Sequence, residues 1–273
     1  MTSAVPARVL YSDLDGTMVG PRGCFFRAGD CSLTLEPARA LVELHRAGVT
    51  LVLVSGRTRP QLVEACRIFG ADGFVGELGA VVGWDGGRVH EVLTGAMPAA
   101  VRDEIGAGGR TPYDVITGSG VVERLLDRYR GRLDYHAPWH LGHEADVMLR
   151  GQVEVAEAEA WLAEAGYRWL QLADNGVLPA GGHVYHLMPR ELSKGRAVAY
   201  DLRRRGLGPG DAVAVGDSAG DLTMAPYVRE LWLTANGAGS PRMGELVAAH
   251  PNVRLATAEV GLGWVEAVRA ALA

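Results

Sequence analysis

Lysine is nearly absent from this chain: of 27 basic residues only Lys194 is a lysine, and every other one is an arginine. Where positive charge alone is needed arginine serves, so the one lysine marks a place for a compact ammonium that a planar fork does not replace. Cysteine is sparse as well. Cys24, Cys31 and Cys66 form no CxxC pair, which argues against a disulfide framework or a structural zinc site, and a reducing compartment argues against a Cys24–Cys31 bridge. The longest aliphatic stretch of note, Val49 to Val54, is far too short to span a bilayer. The N-terminal residues show no basic region followed by a long apolar run, so a cytoplasmic protein with no membrane partner is expected. A net charge of −5 and a pI near 5.9 speak against a nucleic-acid binder.

What is present is enough for a core. The chain has 273 residues, more than one average domain and less than two, and 48% of them are apolar. Its first part alternates strand and helix patterns. Arg8–Ser12 reads as a buried strand, a helix follows from Thr34 with Pro37 in its first turn, Thr50–Val54 is a second buried strand, and a helix runs from about Thr58 to Phe69. Gly48 and Gly70 stand where helix-ending glycines belong. The rhythm returns late, with a helix over Gly195–Arg205, a strand over Asp211–Val215, a short helix over Ala219–Ala225, a strand over Leu231–Thr234 and a closing helix over Leu262–Leu272. This order implies an α/β fold: a Rossmann-like three-layer core on a mainly parallel sheet.

Between these halves the parallel rhythm disappears. Residues 86–188 mix helix patterns with short strands and glycine-rich turns, the patch Gly106–Gly109 reading as a loop. We read them as an α+β module inserted into a discontinuous core of residues 1–85 and 189–273. That module holds nine arginines against fourteen carboxylates, the whole net charge, while the remainder balances eighteen against eighteen.

Four stretches carry chemistry. The first strand ends in Asp13-Leu14-Asp15-Gly16-Thr17, just where open α/β sheets place ligands. Carboxylates two apart in extended chain point to one side and repel unless a cation intervenes, and hard oxygen ligands suit Mg²⁺. The second strand ends in Ser55-Gly56-Arg57-Thr58, whose hydroxyl and backbone N–H groups suit a phosphate. Ordinary turn and capping chemistry explains that stretch equally well. Lys194 opens a helix, where its charge opposes the helix dipole, an unfavourable place unless it has a role. Gly216-Asp217-Ser218-Ala219-Gly220-Asp221 follows another strand, with its two acids about one helical turn apart.

In this order the four stretches resemble the motifs of the haloacid dehalogenase superfamily of phosphohydrolases, and the long insert resembles a C2-type cap of the Cof-like and sucrose-phosphate-phosphatase-like branch. The stretch His186-Leu187-Met188-Pro189-Arg190-Glu191-Leu192-Ser193-Lys194 looks like that branch's return from cap to core. Gly220 and Glu77-Leu78-Gly79-Ala80 depart from the family pattern, which often has asparagines there. The resemblance implies a Mg²⁺-dependent phosphomonoesterase. Asp13 is then the nucleophile and Asp15 the acid and base, while Ser55 and Lys194 hold the phosphoryl group. Asp13, Asp15 (through its carbonyl), Asp217 and Asp221 attend the metal. Gly16, Gly56, Arg57, Asn175 and His183 are candidate phosphate and substrate contacts. A phosphotransferase or mutase using the same chemistry, and a receiver-like signalling domain, are the rivals, and the chain is expected to be a monomer or homodimer.

Other features are read plainly. The cap histidines His136, His140, His143, His183 and His186 offer no HxxxH on a helix pattern and no clustered cysteine, and read as surface or substrate contacts. Gly206-x-Gly208-x-Gly210 precedes a strand, the wrong order for a dinucleotide site, and is a helix stop. Phe25-Phe26 suits a flap or simple packing. The acidic cap predicts a small phosphorylated substrate with a neutral or cationic remainder, such as a sugar, aminosugar or polyol monophosphate.

Overall fold

The computed structural model describes residues 6–178, 181–239 and 241–273. The first half supplies strands β1 (Val9–Asp13), β2 (Thr50–Val54), β3 (Gly73–Gly76), β4 (Val81–Trp84) and β5 (Val89–Val92), with helices α1 (Glu36–Arg46) and α2 (Arg59–Phe69). The inserted region contains α3 (Ala99–Gly108), α4 (Pro112–Gly118), α5 (Val121–Arg128), β6 (Leu133–Tyr135), β7 (Val147–Gly151), α6 (Val155–Glu164), β8 (Leu170–Val177) and β9 (His183–Pro189). The chain returns through α7 (Lys194–Arg205), β10 (Ala212–Gly216), α8 (Ala219–Leu222), β11 (Glu230–Leu233), α9 (Ala235–Ala238), α10 (Pro241–Ala248), β12 (Val253–Leu255) and α11 (Val260–Leu272).

Eight strands form one sheet in the order β12-β11-β10-β1-β2-β3-β4-β5, parallel from β12 to β3 and antiparallel over β3-β4-β5. Alternation along β1 shows why it is buried on both faces. Leu10 packs with Trp264, Val265 and Val268 of α11, whereas Val9 and Tyr11 pack with Ala197, Val198 and Leu202 of α7. Because β1 lies between β2 and β10, the chain winds away from it in both directions, and its carboxyl end is the switch point where such sheets bind ligands. A second, antiparallel sheet, β6-β7-β9-β8, forms its own core with the inserted helices around Ile116, Leu125, Leu149, Leu162 and Leu187.

Several local readings change. Val89–Val92, read from sequence as part of the insert, pairs with Val81–Trp84 at the edge of the large sheet. Left-handed Gly86 and Gly87 form the tight turn between β4 and β5. Helix α3 continues through the glycine patch to Gly108 and stops at left-handed Gly109, so only the last glycine is loop. Phe25 packs on Phe69 and Trp264, which is packing, not a flap. Cys24, Cys31 and Cys66 are free thiols. No described helix is long and apolar enough to cross a membrane.

Candidate active site

The ends of β1, β2 and β10 and the start of α7 converge on one cleft. Lys194, buried at the first turn of α7, donates from Nζ to Asp13 Oδ1 at 2.8 Å and to Asp221 Oδ1 at 2.7 Å. The dipole cost of a lysine at a helix start is thus offset by two carboxylates. Burial opposes its charge most strongly, yet Asp13 and Asp221 together hold the ammonium pKa above its ordinary value. Asp221 is saturated: its Oδ2 accepts from Asp217 N (3.1 Å), Ser218 N (2.9 Å) and Ser218 Oγ (2.6 Å). Asp13 is not. Its Oδ2 is buried and has no hydrogen-bond partner.

That bare oxygen sits among charges. Burial, together with Asp221 and Asp15, pushes the Asp13 carboxyl up to about 7 against the pull of Lys194. Asp217 is likewise held well above the carboxylate range, by burial and then by Asp13 and Asp221. Asp13, Asp217 and Asp221 each bring an oxygen within 4.8 Å of the others. Three carboxylates against one ammonium, one oxygen orphaned, and two acids raised by crowding are what a divalent cation would relieve. The residues present therefore fit a metal ion, with Asp13 and Asp217 offering carboxylate oxygens, the latter's engaged only by the neutral Thr17 hydroxyl and Asn236 amide, and Asp221 committed to Lys194 and the α8 turn.

Around this centre the loops are fixed by close approach. Gly16 has φ +83°, and a Cβ there would lie 2.3 Å from Asp217 Oδ2, so only glycine lets Asp217 approach this closely. Asn236 Nδ2 donates to Gly16 O (2.8 Å) and Asp217 Oδ2 (3.2 Å), a tie that sequence reading missed because no motif flags it. Asp15 points its carboxylate outward, where Arg57 grips it through Nε (2.8 Å) and a terminal nitrogen (2.6 Å). Ser55 is buried beside Asp13, and its Oγ accepts from Arg57 N at 3.3 Å.

The cap closes over the cleft and leaves a cavity of about 960 Å³, lined by Asp13, Asp15, Ser55, Arg57, Lys194 and Asp217 below and by His136, Trp139, His143, Met148 and Asn175 above. Asn175 lines it, with Nδ2 2.9 Å from the position a Cβ on Gly56 would take. His183 does not. Strand alternation puts it on the other face of β9, bonded to Asp174 (2.8 Å) and stacked on Tyr185, while Val184 and His186 face the core. None of the described cap residues lining the cavity is a carboxylate, so the cap's acids do not border the site as the sequence suggested.

A second charged cluster ties cap to core. Asp146 accepts from His143 Nδ1 on one oxygen and from His186 Nδ1 on the other, all three side chains being buried. Glu77, on a left-handed turn after β3, is fully buried and accepts from Glu144 N (3.0 Å) and Ala145 N (2.8 Å). Arg59 of α2 adds an ion pair to Glu144 at 2.7 Å. Glu77 stood out in the sequence only as a departure from a family pattern.

A carboxylate nest with a buried lysine at the switch point of a doubly wound sheet, under an antiparallel cap, defines a capped phosphohydrolase. No family model matches the chain, but relatives do. It is 40% identical over 189 residues to a phosphoglycolate phosphatase of Halobacterium salinarum, covering 68% of this chain and 70% of that one. It is 28% identical over 218 residues to one of Methanoculleus marisnigri, covering 80% and 79%. Among solved structures, the sucrose-phosphatase of Synechocystis superposes with a TM-score of 0.68 at 15% identity, covering 98% of both chains. The chain belongs to the haloacid dehalogenase superfamily and is a C2-capped phosphatase.

Proposed function

We propose that the chain hydrolyses small phosphate monoesters through a phosphorylated Asp13. The observation that carries this reading is the state of one carboxylate: Oδ1 tied to the only lysine, Oδ2 buried and unpartnered. Oδ2 attacks phosphorus, the ester P–O bond breaks, and Asp15 gives a proton to the departing alkoxide. Water then attacks the phosphorylated Asp13, the Asp13–phosphorus bond breaks, and Asp15 takes the water's proton. For Asp15 to carry a proton the Arg57 fork must open, and a phosphate dianion is the competitor that suits a guanidinium. Ser55 and Lys194 hold the phosphoryl oxygens. Mg²⁺ would be held by Asp13, Asp217 and the main-chain carbonyl of Asp15, and when bound it neutralises and orients the phosphoryl group.

The substrate we favour has hydroxyls on its leaving group, as in a sugar or polyol monophosphate. The cavity is far larger than a two-carbon acid requires, and its cap wall offers neutral polar groups. Phosphoglycolate, named for the curated relatives, is the second reading, favoured by their agreement. Phosphate release from a panel of phosphorylated metabolites, with Mg²⁺ and with chelator, tests both. Metal-dependent release led by hydroxyl-bearing monophosphates supports the first reading, and release led by phosphoglycolate supports the second. No release from any monoester would remove the proposal.

A further inference from the structure

The cap cluster around Asp146 has no part in the chemistry just described, yet two of its neighbours form the cavity wall. Asp146 is fully buried, and the two imidazoles, the larger influence after burial, hold it below the ordinary carboxylate range. An ionised carboxylate accepting from both Nδ1 atoms places a proton on each. His143 then presents Nε2 to Trp139 O at 3.2 Å, which only an N–H can satisfy, so this ring is an imidazolium. Asp146 and Glu77 hold its pKa up to about 9 although burial alone would lower it. His186, with Nδ1 committed to Asp146, turns Nε2 toward Asn175 Nδ2 at 3.3 Å. Nε2 accepts from the amide, and Asn175, which lines the cavity with Nδ2 above Gly56, keeps Oδ1 without a partner among the described residues.

We infer that Asp146 is a positioning residue for substrate selection: through His186 it sets Asn175 so that its Oδ1 accepts a hydrogen bond from the leaving group. The inference rests on the proposed phosphatase reading. Through His143 the same carboxylate fixes the backbone that carries Trp139. Glu77 anchors the adjoining residues 144 and 145 to the core, so the wall is set only when the cap is docked. The three groups of the cluster lie close enough to hold a metal ion. The hydrogen-bonded reading is favoured because each imidazole engages a different oxygen of Asp146, and no polar atom of the three side chains is left unpartnered. An acceptor at this place selects leaving groups that bring a hydroxyl or amine, and disfavours a carboxylate.

The test compares glycerol phosphate with phenyl phosphate, whose leaving group offers no second hydroxyl. In wild type, hydrolysis of phenyl phosphate with Mg²⁺ establishes the phosphatase reading independently. The ratio of kcat/KM for glycerol phosphate over phenyl phosphate should fall about tenfold in Asn175→Ala, the effect of one lost hydrogen bond in a desolvated site. Asp146→Asn and His186→Asn should lower it similarly, mainly through KM. Adding Asp146→Asn to Asn175→Ala should cost nothing further in that ratio, whereas independent structural damage would add. His186→Gln, which keeps a group near the Nε2 position, should restore part of the selectivity, and serves where Asp146→Asn does not fold. An unchanged ratio in Asn175→Ala, or additive losses in the double variant, would overturn the inference. So would one zinc per chain that survives dialysis against chelator and is lost in His186→Asn.

Discussion

The two buried charge clusters are opposites in design. In the core a cation, Lys194, lies between two carboxylates; in the cap an anion, Asp146, lies between two imidazoles. Both are buried. They differ in one atom. Every polar atom of the cap trio has a partner, whereas Asp13 keeps Oδ2 bare. An unpartnered buried carboxylate oxygen is costly, and folds retain such costs where a reacting group must sit. A saturated network instead holds geometry. The core trio is therefore read as machinery and the cap trio as a frame.

Substitutions should separate the two readings. The largest effect is expected at Asp13→Asn, which keeps volume but removes the nucleophile: turnover should drop by at least about a thousandfold. The fold should persist, with no loss of melting temperature above pH 7. Substantial residual phosphate release would move the nucleophile elsewhere. Chelation should abolish activity comparably and Mg²⁺ should restore it, with Ca²⁺ a poor substitute because its shell is looser. Full activity in exhaustively chelated buffer would remove the metal from the account.

Lys194→Arg comes next, with a loss of about a hundredfold. The fork cannot occupy the 2.8 Å and 2.7 Å contacts to Asp13 and Asp221 as a single ammonium does. Near-normal kinetics in this variant would make the lone lysine incidental. A subtler effect follows from titration. Because Asp13 rises to about 7 in the fold, it takes up a proton as pH falls through that value and ceases to attract a cation. The rise in Tm on adding Mg²⁺ should therefore be large at pH 8 and shrink by pH 6, read from thermal melts. An increment independent of pH would contradict this.

The smallest effect is expected at the frame. Glu77→Gln should lower Tm by roughly 2–4 °C near pH 6, through weakened acceptance from residues 144 and 145. Burial and Asp146 raise Glu77 to about 8, so its folded state binds a proton that the unfolded chain releases near 4.5. The stability it contributes is fully present below the unfolded value and lost as pH rises through about 8. The deficit of Glu77→Gln should accordingly narrow at pH 9. A deficit that widens there would show that ionised Glu77 is the stabilising form.

The contrast also separates what sequence alone carries from what it does not. Asp13, Asp15, Ser55, Lys194 and Asp217 were legible because each follows or opens an element whose apolar pattern is unambiguous, and the parallel sheet brings those ends together. Of the cap, the sequence carried a mixture of helix patterns and short strands but not α4 or β6. The pairing of Glu77 with residues 144 and 145, and of Asp146 with His186, was not, since contacts across 40 or more positions leave no local pattern, and His143 and Asp146, though three apart, lie outside any helix that would put them on one face. His183 was chosen over His186 because alternation fixes only that they face oppositely, not which face meets the core. The cap's charge misled for a related reason: composition counts carboxylates without saying where they point, and none of the described ones lines the cavity from the cap.

In the proposed reaction the bare oxygen of Asp13 becomes phosphorylated. Rapid acid quench during turnover, borohydride reduction and peptide mass spectrometry read it directly, because reduction converts an aspartyl-phosphate to homoserine. Homoserine is expected at position 13, formed only with substrate and Mg²⁺ present and absent at Asp15, Asp217 and Asp221. Turnover without modification at position 13, or phosphoryl transfer to another side chain, would contradict it.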